Sequence, residues 1–212
     1  MFLTIQEEKL EEEIVEKKSK FIGTLFYVKD EEETQTIIKN VKKQYYDARH
    51  NCFAYRVMTE DGVVERFSDD GEPSGTAGGP MLNILAKNNL CNVLIIVTRY
   101  FGGILLGTGG LVRAYSEATS KVIASATIAN ETMGLEAEIE IEYTELEMFK
   151  YYCKKNGINI VNIVYENYIK CYIEATKEEL ENLLDKNKNN CNILEYRVLE
   201  NRNIRKECNK NV

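Results

Sequence analysis

Two glycine-rich segments restrict what this chain can fold into more than any other feature of the sequence. The first, residues 68–80, contains both prolines of the 212-residue chain, and the second covers residues 100–110. Glycine adopts backbone conformations that other residues avoid, and proline removes a backbone donor, so neither segment suits regular structure. Between them, residues 92–99 form the most apolar run. The pattern therefore predicts a central buried strand with an irregular loop on each side.

Strand-like and helical patterns surround these loops in the first part of the chain. Residues 1–14 are acidic and predict only a loose lead-in. Asp30 followed by Glu33 indicates the start of a helix, because a short polar side chain can cap its first free amides. Runs typical of strands or helices follow from alternation and from four-residue spacing of apolar side chains. The predicted elements lie at residues 19–28, 30–45, 51–58, 63–67, 81–87, 92–99 and 111–122.

The pattern resets after Asn130. Alternating glutamates and apolar residues over 136–143 predict a strand with one buried face, and Thr144 and Thr176 each begin a capping box. The order βαββαβ is that of a ferredoxin-like fold. We expect one domain at residues 1–130, a ferredoxin-like domain at 131–200 and a frayed tail at 201–212.

Composition limits the classes of function. The formal net charge of −7 argues against indiscriminate binding to nucleic acid, so any RNA contact would need a local basic patch. None of the six cysteines has the C-x-x-C spacing of a zinc or redox site, and the acidic N-terminus does not resemble a signal peptide. The longest apolar run is too short to span a bilayer. We expect a cytoplasmic protein with reduced thiols and no membrane partner.

The first glycine-rich segment is also acidic. Asp69, Asp70 and Glu72 lie within a few residues of Ser74 and Thr76. Carboxylates in such a loop could hold a hard cation such as magnesium. The alternative is a turn whose Asp and Ser side chains bond their own backbone, and the spacing favours this turn. No cofactor is predicted, and magnesium is the one ion that the loop would suit.

The second segment leads from a strand into a helix. Its glycines would leave backbone amides free at the positive end of the helix dipole, an arrangement that suits a phosphate or carboxylate. Arg99 and Arg113 could add charge-assisted contacts, and Thr108 could cap the helix. The segment lacks the Gly-Lys-Ser/Thr ending of a P-loop. The alternative is a tight strand-to-helix connection in which glycine allows close backbone approach.

A histidine and a cysteine form the third candidate. His50 is the only histidine, and Cys52 would point to the same side of a strand. Such a pair can act as nucleophile and base, but nothing in the sequence identifies a third, orienting group. A polar residue beside a buried cysteine in a half-buried strand is the favoured interpretation. No catalytic residue is therefore predicted.

Five segments in this order resemble the signature blocks of the YigZ/IMPACT family, over about residues 17–120. They are residues 18–21, 48–52, 68–78, 97–103 and 106–115. The resemblance implies an α/β (α+β two-layer) fold for the first domain, like ribosomal protein S-five domain two and domain four of elongation factor G. It implies a second domain like domain five of that factor. Eukaryotic relatives regulate translation initiation through the amino-acid-starvation kinase pathway.

Loops and resemblance together predict a non-enzymatic, translation-linked regulatory protein. It would bind RNA, the ribosome or a translation factor through a glycine-rich, anion-binding surface. Two alternatives stay open: an enzyme acting on a phosphorylated small molecule or nucleotide with magnesium, and a protein–protein adaptor using an aromatic loop. The predicted site residues are Arg49, His50, Ser74, Thr76, Arg99, Tyr100, Phe101, Gly102, Gly103, Gly107, Thr108, Gly109, Gly110 and Arg113.

Overall fold

The computed structural model describes residues 2–185 and 191–208, so residues 209–212 of the predicted tail lie outside it. The chain divides into a unit formed mainly by Phe2–Asn130 and a unit formed by Glu131–Lys206. Its elements are β1 (Phe2–Ile5), β2 (Lys9–Glu16), β3 (Ser19–Tyr27), α1 (Glu31–Gln44), β4 (His50–Thr59), β5 (Gly62–Ser68), α2 (Gly78–Lys87), β6 (Val93–Tyr100), α3 (Thr108–Ala124), β7 (Ile128–Ile141), a 3₁₀ turn (Tyr143–Glu145), α4 (Leu146–Lys155), β8 (Asn159–Tyr165), β9 (Ile169–Ala175), α5 (Lys177–Leu184) and β10 (Ile193–Glu207).

The first unit is built on a five-stranded antiparallel sheet in the order β2-β3-β6-β4-β5. The predicted apolar strand is its centre, and every residue of β6 before Tyr100 is buried. Residues Phe21, Cys52 and Ile95 belong to the core that α2 and α3 cover. The α/β class is confirmed. Residues of both glycine-rich loops lie in the same part of this unit.

Helix α1 covers the opposite face of the same sheet. Its side chains Ile38 and Val41 pack with Tyr55 and Leu94, so the central strands are buried on both faces. The predicted start of this helix is confirmed: Asp30 caps it, and its carboxylate accepts a hydrogen bond from the Glu33 amide at 2.7 Å. This helix adds a layer to the predicted two.

Residues 9–16 form a strand where only a loose lead-in was predicted. Strand β2 pairs with β3 along its whole length, and Leu10 and Ile14 pack against the core. Glu11 and Glu13 are exposed on the other face of this edge strand, whereas Glu12 shares the face of Leu10 and Ile14 and forms an ion pair with Lys121 of α3. The three successive glutamates hide the alternation of core-facing and exposed positions in the sequence. Only two apolar residues of the strand, Leu10 and Ile14, pack against the core.

Strands β7 to β10 lie in a five-stranded sheet that also includes β1; the order among these four strands is β8-β9-β7-β10, with β7 and β9 antiparallel. This is the order of a ferredoxin-like βαββαβ fold, and the prediction is confirmed. The predicted capping box at Thr176 is present. The one at Thr144 is not, because that residue lies inside the 3₁₀ turn and α4 begins at Leu146 without a side-chain cap.

The final strand is longer than predicted. β10 continues to Glu207, so the prediction of a frayed tail from residue 201 is wrong for 201–207. Two interactions explain the order. Arg202 forms an ion pair with Glu136 at 2.6 Å, and Ile204 is buried against the backbone near Gly134. A sequence of mostly polar residues hides both interactions, because their partners come from β7.

Throughout 2–185 and 191–208, helices fall short of the length and apolarity that crossing a membrane requires.

Gly23 sets the distance between β3 and α3, which gives a test of this packing. A Cβ at Gly23 would lie 2.9 Å from the backbone oxygen of Ala118. We expect Gly23→Ala to lower the free energy of unfolding by about 1–3 kcal/mol in urea titrations followed by circular dichroism. Gly79→Ala adds the same methyl group in open space and serves as the control. Equal stability of the two variants would contradict the close approach.

Candidate functional site

The two glycine-rich loops meet in the first unit at a cleft of about 340 Å³. Part of its wall consists of apolar side chains that were not among the predicted site residues, such as Pro73, Leu105, Leu106 and Leu111. The signal for Leu105 and Leu106 was present as a pair of leucines between glycines. Six of the predicted site residues line the cleft: Arg49, His50, Arg99, Phe101, Gly107 and Thr108.

Strand register places three of the lining or supporting side chains next to one another. Arg99 at the end of β6 pairs with His50 on β4 and with Phe21 on β3. These cross-strand neighbours point to one face of the sheet, because residues directly opposite in a ladder share a face. The end of the central strand therefore delivers a cation to the base of the cleft.

A buried ion pair joins the two loops there. Arg99 Nη1 lies 2.6 Å from Glu72 Oε1, and the two side chains are only 6% and 3% exposed. The Tyr115 hydroxyl of α3 donates to the same oxygen at 2.9 Å. Desolvated charges of this kind persist only when partners and hydrogen bonds compensate them. Glu72, a weak candidate for metal binding, is instead the counterion of Arg99.

The guanidinium of Arg99 keeps donor capacity. Its Nε is buried and has no hydrogen-bond partner within the described residues. Its carbon Cζ lies 5.4 Å from the ring centre of Phe21 and 5.6 Å from that of Phe101. Arg49 Cζ lies 5.4 Å from the Phe101 ring as well. The side chains of Arg49 and Arg99 thus both lie near the Phe101 ring at the cleft, and Arg99 has an unused donor.

The orientation of His50 is set by the first loop. Its Nδ1 lies 2.7 Å from the backbone oxygen of Asp70. A carbonyl only accepts hydrogen bonds, so Nδ1 carries the proton. The other ring nitrogen, Nε2, lies 3.9 Å from Glu72 Oε1. His50 therefore belongs to the polar base of the cleft and could present Nε2 as an acceptor or, when protonated, as a donor.

Asp69 organises the first loop. Its carboxylate accepts hydrogen bonds from the amides of Gly75, Ala77 and Gly78 at 2.8–3.0 Å. The Thr76 hydroxyl donates to the Pro73 oxygen at 2.6 Å. The interpretation of this segment as a turn that satisfies its own backbone is therefore confirmed for Asp69.

The three acidic residues of this loop do not act together. Asp70 accepts from Lys42 Nζ and from the Asn51 amide, whereas Asp69 holds backbone amides and Glu72 holds Arg99. Within the described ranges, no group of three or more His, Cys, Asp or Glu side chains is placed to hold a metal ion. The donor set of this loop is thus already used by the protein.

Helix α3 begins differently from the predicted pattern. Gly107 is the N-cap at φ +74°, and no side chain caps the helix. The prediction that Thr108 caps it is wrong, because Thr108 is the first helical residue. Gly107, Thr108 and Gly109 are exposed. The first turn of α3 is therefore exposed and uncapped at the edge of the cleft, where helix-terminal amides suit an anion.

Several predicted residues serve the loops rather than the cleft. A Cβ at Gly102 would overlap the backbone of Lys18, so this glycine permits close packing. The Tyr100 hydroxyl donates to Asp47, and Arg113 is exposed on α3. Thr76 is buried within its turn, and Ser74 is exposed on the loop. The predicted residues that do not line the cleft are Ser74, Thr76, Tyr100, Gly102, Gly103, Gly109, Gly110 and Arg113.

Cys52 lies beneath the cleft but cannot serve as a nucleophile in this state. Its sulfur lies 3.0 Å from the backbone oxygen of Asp69 and 3.3 Å from the Tyr115 hydroxyl oxygen, so its single S–H has an acceptor inside the protein. Burial raises the pKa of Cys52 to about 12, so the thiolate is scarce near neutral pH. The pairing of His50 with Cys52 for catalysis is not supported.

The Arg99–Glu72 pair gives a direct test of how the site is held. We expect Glu72→Ala to lower the free energy of unfolding by about 3–5 kcal/mol, because it leaves a buried guanidinium without its counterion. Glu13→Ala removes the partner of Lys20 at the surface and should cost less than about 1 kcal/mol. Urea titration measures both. Similar losses for the two variants would show that the pair does not anchor the loops.

Known proteins are similar to this chain in sequence and in fold. Residues 17–123 match the family model described as the Impact N-terminal domain. The chain is 39% identical over 171 residues to "IMPACT family member YvyE" of Bacillus subtilis, covering 81% of this chain and 77% of that protein. It is 36% identical over 154 residues to "IMPACT family member YigZ" of Escherichia coli, covering 72% and 76%.

One solved structure, described as an hypothetical protein, is similar with a TM-score of 0.59 and 31% identity. The alignment covers 85% of this chain and 87% of that chain. The ordered glycine-rich segments, the two-unit fold and these similarities agree. The chain belongs to the IMPACT family.

Proposed function

We propose that this chain is a non-enzymatic regulatory protein of translation that binds RNA of the translation machinery through the cleft. The resemblance to the YigZ/IMPACT family supports the link to translation, because that resemblance implies kinship with regulators of translation initiation. The cleft supports the choice of an anionic ligand, and the following observations favour RNA over a protein partner.

The charge of the cleft is the observation that carries the proposal. Glu72 compensates Arg99, whereas Arg49 is exposed and has no ion-pair partner among the described residues. Gly107 and Thr108, at the uncapped start of α3, line the same cleft. A cation and helix-terminal amides together suit a phosphate group. The cleft is thus locally basic in a chain whose net charge is −7.

Phe101 favours a nucleotide over an isolated phosphate. Its side chain is 38% exposed and lies beside Arg49 and Arg99. Single-stranded RNA is recognised by stacking of bases on aromatic rings and arginine planes next to phosphate contacts. The cleft offers an aromatic ring for base stacking and a cation for a phosphate, and neither contact distinguishes one base from another. We therefore expect binding with little sequence preference.

The alternative of a magnesium-dependent enzyme on phosphorylated small molecules is less well supported. It needs carboxylates that are free to hold the ion, but Asp69, Asp70 and Glu72 each accept hydrogen bonds or ion pairs from the protein. The alternative of a protein adaptor rests on exposed Phe101 alone. Both become outcomes of the binding experiments.

Arg49 and Arg113 provide matched variants. We expect Arg49→Ala to weaken binding of a labelled single-stranded RNA and of ribosomes, and to reduce the salt dependence of log Kd by about 0.7 for one lost phosphate contact. Arg113→Ala removes the same charge from an exposed position outside the cleft. It should leave both properties close to those of the wild-type protein. Fluorescence anisotropy at several salt concentrations measures the RNA, and co-sedimentation measures the ribosomes.

Other outcomes of this experiment count against the proposal. Equal losses for Arg49→Ala and Arg113→Ala would place binding outside the cleft. No binding at low salt would remove RNA as the ligand. Salt-insensitive capture by ribosomes that Phe101→Ala abolishes would favour the adaptor. A rise in melting temperature with nucleotide and magnesium, but not with RNA, would favour the enzyme.

Thr108→Glu separates stability from binding. A carboxylate in the first turn of α3 interacts favourably with the helix dipole, so we expect the free energy of unfolding to rise by about 0.3–1 kcal/mol. The same charge competes for the open amides and should weaken RNA binding. Ser120→Glu adds an equal charge to an exposed position of the same helix and controls for net charge. Loss of RNA affinity in both variants alike would indicate a general charge effect only.

A further inference from the structure

The final strand of the second unit has an open edge. Within residues 2–185 and 191–208, β10 forms its sheet pairing with β7 alone. Residues 194–201 are all exposed. Leu194, Tyr196, Val198 and Leu199 are each at least 40% exposed. A long edge strand with exposed apolar side chains is a ready template for pairing with another strand.

Two charges flank Tyr196 on this strand. Glu195 and Arg197 make neither an ion pair nor a side-chain hydrogen bond within the described parts of the chain. Most charged residues elsewhere on the second unit's sheet have partners, such as Arg202 with Glu136. The pair Glu195 and Arg197 is thus complementary in charge but lies on one strand, two residues apart, where the two side chains do not face each other across a ladder.

Two-fold symmetry restricts how this edge could pair with a copy of itself. In a symmetric antiparallel pair, one residue lies opposite its own copy, and residues at equal distances on either side of it face each other. A pair centred on Glu195 or on Arg197 would place like charges directly opposite, which is destabilising. A pair centred on Tyr196 places Glu195 opposite the partner subunit's Arg197, and does so twice.

The same register also matches the apolar residues. Side chains alternate between the two faces of a strand, so Leu194, Tyr196 and Val198 share one face. Centring on Tyr196 brings Leu194 opposite the partner subunit's Val198 and Tyr196 opposite its own copy. Ile193 and Leu199 meet on the other face beside the charge pairs. Apolar and charged positions therefore agree on one register.

We propose that two copies of this chain associate through antiparallel pairing of their β10 strands, centred on Tyr196. The pairing extends the sheet of the second unit across the two-fold axis and covers the exposed apolar side chains. It does not involve the cleft, so its failure would leave the proposed RNA binding untouched.

A charge exchange tests the register. In sedimentation velocity over a range of concentrations, the full-length wild-type chain is expected as a dimer. Arg197→Glu and Glu195→Arg each place like charges opposite twice, and each variant alone is expected as a monomer. An equimolar mixture of the two should recover the dimer, because the two acidic positions of one chain then face the two basic positions of the other. The double variant Glu195→Arg/Arg197→Glu should dimerise by itself.

Three results would overturn the proposal. The first is a wild-type chain that sediments as a monomer at every concentration. The second is an Arg197→Glu variant that dimerises as well as the wild-type chain, which would place the interface elsewhere. The third is a mixture that stays monomeric. Circular dichroism of each variant separates loss of the dimer from loss of the fold, and the mixture experiment needs both variants to be folded.

Discussion

The buried ion pair between Arg99 and Glu72 connects the parts on which the cleft depends. Arg99 is the penultimate residue of the central strand, Glu72 belongs to the first glycine-rich loop, and the Tyr115 hydroxyl of α3 donates to the same carboxylate oxygen. A charge in this environment needs its counterion, so neither loop can shift without exposing or stranding a desolvated group. Strand, loop and helix are therefore fixed relative to one another by one oxygen atom.

This arrangement explains how an acidic chain can present a basic cleft. Glu72 neutralises Arg99 at the base, while Arg49 stays at the rim without an ion-pair partner in the described residues. Phe101 lies beside both arginines, and Gly107 leaves the first turn of α3 uncapped. The proposed ligand would meet a cation, an aromatic ring and free amides together, and the rest of the acidic surface would repel indiscriminate binding.

Much of the fold could be predicted because its signals are local. The cap at Asp30, the apolar run of β6 and the alternation of β7 depend on neighbours in sequence, and each prediction is confirmed. The sequence patterns missed β1, β2 and the end of β10, and the last two are polar segments ordered by distant partners. Ile204 illustrates this: its burial depends on β7, not on the charged residues around it.

The sequence by itself determined the family, the two successive α/β units and the residue types of the site, because glycine spacing, capping residues and apolar periodicity act over a few residues. Only the tertiary structure decided which of those residues meet. In the folded chain, Glu72 is the counterion of Arg99, Asp69 accepts hydrogen bonds from loop amides, and Cys52 is a buried thiol. Arg49 lines the cleft, whereas Arg113 does not. Those roles depend on desolvation and on hydrogen bonds between distant segments, which sequence spacing does not encode.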